Sequence, residues 1–309
     1  MPDPTAYPPP PGPGLSGPAP PPAYYDPDPG FSPYLRLPVG EVLGDCFGLF
    51  FKNIGRYTFI VGLVYLPFIL WLAYVTFGDP FGLESAGQES LDAALEAQME
   101  SLLYQALAVL VPTLLLMPVA TGAIIYAVFR AKKGERASVG KCLAVGFGRI
   151  FPLVGVAIVT MLIILFAAGV PLLLGILMAF GGLGLLTFLL ALGAIVIGVM
   201  LHLALFVAPP AVVVEKAGVF DAISRSFALT KGSRGRIFGV VIVLGIAEKI
   251  VDWISSIATI DSPEVGFVIS VICLLAFGAI GAIAPAAVFY YLKVGREGMD
   301  EDELASVFD

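Results

Sequence analysis

From Ile150 to Val214 the chain runs for 65 residues without an aspartate, glutamate, lysine or arginine. Three shorter runs behave the same way: Tyr57–Gly78 with 22 residues, Ser101–Phe129 with 29 and Val265–Leu292 with 28. A helix of about 20 apolar residues crosses the hydrocarbon layer of a bilayer. A chain built from such runs has lipid around most of its length. Composition agrees, because 58% of the 309 residues are hydrophobic and 13% are charged, where a soluble domain carries about a quarter charged. The sequence predicts an all-α integral membrane protein and excludes a soluble enzyme.

Six transmembrane helices are predicted, at about 57–77, 103–129, 150–178, 185–208, 237–259 and 265–292. The longest run must hold two of them, since a single helix of that length would be roughly three bilayers long. Gly181-Gly182-Leu183-Gly184 supplies the turn. Residues 1–38 carry 15 of the 25 prolines and read as a disordered tail biased to polyproline II. Within it Pro21-Pro22-Ala23-Tyr24 matches the short PPxY pattern, which this composition also produces by chance. Residues 294–309 read as an acidic, solvated tail. Three cysteines without a CxxC pair and a single histidine, His202, indicate neither a disulfide framework nor a metal site, and no cofactor is expected.

The segments ahead of the odd-numbered spans resemble one another. Each reads as an amphipathic helix, at 39–54, 137–147 and 217–231, followed by a Gly-Arg step: Gly55-Arg56, Gly148-Arg149 and Gly235-Arg236. A shift of 180 superposes Phe47 on Phe227, Leu49 on Leu229 and the first Gly-Arg on the third. The expected architecture is three repeats of a cytoplasmic amphipathic helix plus two spans.

Charge fixes the expected orientation. Sixteen of the 17 lysines and arginines precede odd-numbered spans or follow the sixth, and only Lys249 does not. The loop after the first span holds Asp79, Glu84, Glu89, Asp92, Glu96 and Glu100 without one basic residue. By the positive-inside bias the basic side is cytoplasmic, with both termini there, which for a bacterial chain means the inner membrane.

Two sets of residues are candidates for function. Arg56, Arg149 and Arg236 fall at the membrane interface, where an arginine reaches lipid phosphates while its stem stays in apolar surroundings. Ordinary anchoring of a membrane protein would look the same. The second set interrupts the fifth span: Glu248, Lys249, Asp252 and Ser255, with Thr259 continuing the helical spacing. Ionisable residues within a span are costly and by default suggest a functional site. Lys249 and Asp252 are spaced to pair. Alternatively the helix breaks at Gly245 and residues 248–262 lie on the outer surface, which Trp253 would favour. His202 reads as a packed polar residue near the inner surface, and Gly278, Gly281, Ala282 and Pro285 as a helix-packing face.

The stretch from Pro210 to Gly232, PAVVVEKAGVFDAISRSFALTKG, resembles the membrane domain found beside bacterial glycerophosphoryl diester phosphodiesterases and the related six-span inner-membrane families. In those proteins a proline leads into a short, strand-like apolar run ending in glutamate, followed by an amphipathic helix and a Lys-Gly turn. The resemblance covers roughly residues 39–293 and implies a six-span membrane protein without the phosphodiesterase barrel, whose paired histidines this chain lacks. The expected function is non-enzymatic: organising lipid or a partner protein at the cytoplasmic leaflet. A transporter or lipid-translocating protein using the Glu248–Asp252 stripe is the alternative. Expected partners are membrane lipids, a second copy or another membrane protein, and no nucleic acid.

Overall fold

The computed structural model describes residues 37–77 and 112–297, together with Met99, Leu103 and Leu110. Residues 1–36 of the proline-rich tail, the acidic loop after Phe77 apart from those three residues, and residues 298–309 lie outside the described residues. What is described is helix and short connections, with no strand among the described residues.

In chain order the helices are α1 (Val39–Lys52), α2 (Ile54–Phe77), α3 (Met117–Lys132, led in by a π-helical turn at Pro112–Leu116), α4 (Val139–Gly148), α5, α6 (Gly184–Leu205), α7 (Ala208–Val214), α8 (Val219–Thr230), α9 (Arg234–Asp261) and α10 (Pro263–Glu297). Helix α5 begins at Ile150–Ile164, passes through a π-helical turn at Leu165–Gly169 and continues as Val170–Phe180. That turn stands just ahead of Pro171, whose missing N–H leaves a carbonyl one turn back without its donor. The α5–α6 connection is the glycine turn, with Gly182 at φ +75°. The apolar run at 210–214 is helical rather than strand-like: Pro209 and Pro210 open α7, where an N–H would go unused anyway.

Among the described residues, five stretches are long and apolar enough to cross a membrane: Ile54–Tyr74, Leu114–Lys132, Ile150–Phe180, Gly184–Val214 and Glu264–Arg296. Helix α9 is also long, 28 residues or roughly 42 Å, but Glu248, Lys249 and Asp252 set it apart from those five. It is continuous through Gly245, so the break considered from the sequence is not there.

The core sits at the basic end. Its centre is α3, α7 and α10, which touch one another. Every residue from Val119 to Phe129 except Thr121 is buried, as is every residue from Ala282 to Tyr290. Small residues make this possible. Gly122 on α3 and Gly146 on α4 meet so closely that a Cβ on Gly146 would stand 2.5 Å from the Val119 carbonyl oxygen. Helices α2, α5 and α9 lie around this centre. The three short amphipathic helices then follow one rule: α4 packs on α3 and α2, α8 on α6 and α5, and α1 on α10 and α9. Each therefore docks on the hairpin that precedes it, with α1 closing the circuit on the last one.

The joints share a register. Asn53, Arg149 and Ser233 sit between an amphipathic helix and the next long helix, and their carbonyls accept from Tyr57, Leu153 and Ile237 at 3.0, 3.0 and 3.1 Å. All three donors are buried. Counted from the joints, Val42, Cys46 and Phe50 of α1 match Ala222, Ser226 and Thr230 of α8, and all six are buried. Arg56 and Arg236 are thus equivalent, each three residues past its joint. Arg149 is itself the joint residue. The Gly-Arg pairs, read from the sequence as one recurring step, occupy two different positions.

Candidate functional site

Two charge clusters tie the basic end together. Asp45 on α1 accepts from Lys132 at the end of α3 at 2.6 Å and from the Tyr291 hydroxyl of α10 at 2.9 Å. The Lys132 ammonium lies 4.1 Å from the centre of the Tyr290 ring. Glu215, just past α7, binds Arg225 of α8 through three contacts of 3.0 to 3.1 Å and Lys293 of α10 at 2.9 Å. The Lys293 side chain is only 4% exposed, so its charge depends on that one carboxylate. Burial pushes the Glu215 carboxyl up, but the hydrogen bonds from Arg225 and Lys293 outweigh it and hold the group below its ordinary value. Lys216 follows in the left-handed region at φ +55°, a strained place for a residue with a Cβ.

Sequence reasoning missed both clusters as units. Glu215 was visible as the end of an apolar run, but nothing in the spacing links it to Lys293. Asp45 and Arg225 occupy equivalent places on α1 and α8, Asp45 reaching the ends of α3 and α10 and Arg225 the residue just past α7. At the kink between α6 and α7 the Ala204 carbonyl accepts from the hydroxyls of Ser226 at 2.7 Å and Thr230 at 3.2 Å, both on α8. Buried polar groups need such partners.

Arg56, Arg149 and Arg236 are all half-buried. Residues four apart share a helix face, and those four beyond them, Ile60, Leu153 and Val240, are buried. The arginines therefore lie beneath the core face, in the seams where amphipathic helices dock, rather than on the outward face. Arg56 is close enough to Cys142 of α4 to oppose the rise that burial imposes on that thiol. Among the described residues no ion pair engages any of the three.

The polar stripe of α9 divides. Ser255 is buried and shares a 2.8 Å hydrogen bond with Ser270 of α10. Glu248, Lys249 and Asp252 are exposed, with Lys249 and Asp252 paired at 2.8 Å as their spacing predicts. The side chain of Thr259 lies outside the described residues. His202 is exposed on α6, its ring edge-on to Phe206 at 6.2 Å, instead of packed. Gly278 does serve packing, against Val61 of α2, and Ala282 and Pro285 are buried within the chain, whereas Gly281 is exposed and a Cβ there would meet nothing.

No protein-family model, no curated protein and no solved structure matches the chain. Its class rests on its own fold: an all-helical, multi-pass membrane protein.

Proposed function

We propose that this chain is a six-span, non-enzymatic membrane protein that gathers anionic phospholipid around its basic end at the cytoplasmic leaflet of the inner membrane. Each repeat consists of an amphipathic helix and two spans, with α9 as the fifth span. The matching burial of α1 and α8, and the docking of every amphipathic helix on the preceding hairpin, support that layout. The observation that carries the lipid reading is the contrast among cations. Lys132, Arg225 and Lys293 have carboxylate partners, whereas Arg56, Arg149 and Arg236 have none among the described residues. A half-buried cation without a protein anion is stabilised by a mobile one, and at this level of a membrane that anion is a lipid phosphate.

The full-length protein in nanodiscs tests this. Its thermal midpoint is expected to be higher in discs containing phosphatidylglycerol than in pure phosphatidylcholine, and R56Q/R149Q/R236Q should lose most of the difference. Equal midpoints for the wild type in the two lipids would overturn the reading. The transporter alternative draws little support from α9, whose three charged side chains face outward from the chain.

A further inference from the structure

The seam arginines lie beneath the core face; a lipid held at a defined place needs a cation on the outward face with open apolar surface above it. One joint offers that. Helix α8 ends at Thr230, and the turn Lys231–Ser233 leads into α9 with Gly232 at φ +81°. Arg296, from the far end of α10, donates to the carbonyls of Ala228 and Lys231 and so occupies acceptors at the end of α8. Its guanidinium would lie 3.8 Å from a Cβ at Gly232, the one atom such a Cβ would meet there. Arg234 lays its guanidinium 5.8 Å from the centre of the Phe227 ring, and its Nε is buried without a hydrogen-bond partner. With that N–H shut away inside the protein, an anion outside meets Arg234 through its terminal nitrogens. Lys231 is exposed, and no described carboxylate pairs with either residue.

The apolar side of the site is on the same helix. Phe238, Ile242 and Ile246 follow Arg234 at steps of four, and all three are exposed. At Arg56, Arg149 and Arg236 the residue one turn further is buried instead. We infer that the α8–α9 joint holds one anionic phospholipid, its phosphodiester between Lys231, Arg234 and Arg296 and an acyl chain along Phe238, Ile242 and Ile246. The positive end of the α9 dipole points at the same place. Three cations around one turn complement a headgroup carrying a single negative charge better than a zwitterionic one, which brings its own cation into the cluster. This inference rests on the lipid reading above and narrows it to one site.

Native mass spectrometry of the full-length protein, released from discs of mixed phosphatidylglycerol and phosphatidylcholine, tests it. The wild type is expected to retain phosphatidylglycerol in preference, and K231Q/R234Q to bind it roughly tenfold more weakly. The charge-conserving K231R/R234K should keep the wild-type affinity, which separates loss of the site from loss of the fold. K141Q, at an exposed lysine on α4, should change nothing. Retention by K231Q/R234Q equal to wild type would overturn this site and leave the general lipid reading standing. No preference for phosphatidylglycerol in the wild type would overturn both. Displacement of the lipid by millimolar inorganic phosphate would reassign the joint to a soluble anion and overturn the acyl-chain half of the inference.

Discussion

Helix α3 and the far half of the α5–α6 hairpin are both almost wholly apolar, yet they have opposite fates. From Val119 to Phe129, α3 is buried on nearly every side. From Leu165 to Leu192 the hairpin is exposed nearly all round, and its two arms pack chiefly on each other. Hydrophobicity does not separate them, since lipid is as apolar as any core. The placing of the small residues does. The buried stretch interleaves Ala120, Gly122, Ala123 and Ala127 among larger residues and admits Gly146 of α4 into contact with its backbone. The exposed stretch has about as large a share of glycine and alanine, but three of its five glycines, Gly181, Gly182 and Gly184, form the turn, and Gly175 meets only the other arm of the same hairpin. In a bilayer association follows close packing and polar satisfaction. A chain that is greasy everywhere can therefore still specify one interior.

The largest test of that contrast is at the ion cluster. Glu215→Ala leaves the buried Lys293 ammonium without its carboxylate and is expected to cost about 3–5 kcal/mol in detergent unfolding. Gly146→Ala should cost about 1–3 kcal/mol, because the added methyl meets backbone atoms of α3 that cannot step aside. Lys216→Gly, which relieves a left-handed residue, should raise stability by about 1 kcal/mol in the same assay.

Acid offers a further test. The Glu215 carboxyl titrates lower folded than unfolded, so its contribution is complete above the unfolded value of 4.5 and disappears as pH falls through the folded value. A melting series across that range should show the loss in the wild type and not in Glu215→Gln. The smallest effect belongs to the hairpin. Leu185→Ala, at a side chain exposed to its surroundings, should change stability by less than about 0.5 kcal/mol. A cost comparable with Gly146→Ala would mean that the hairpin has a protein partner and would break the contrast.

The long apolar helices and the three amphipathic ones are legible in the sequence because hydrocarbon thickness and helical periodicity each impose a simple rule. The i, i+3 pairing of Lys249 with Asp252 is legible for the same reason. What the residues could not reveal is non-local. The Gly-Arg recurrence looks uniform until the joint at Arg149 shows it displaced by most of a turn. Ser255 belongs to the polar stripe by spacing, but its burial depends on Ser270 arriving from the next helix. Glu215 gathers charges from 10 and 78 residues away, a meeting that no local pattern encodes.

The docking of α1 on α9 and α10 also carries a consequence for biogenesis. Among the described helices α1 is made before all the others, and α10, on which it rests, after them. Until α9 and α10 are made, the face bearing Val42, Cys46 and Phe50 has no cover from them. A ribosome stalled before α10 would leave that surface open to quality-control proteases, so the making of α10 is itself the step that closes the molecule.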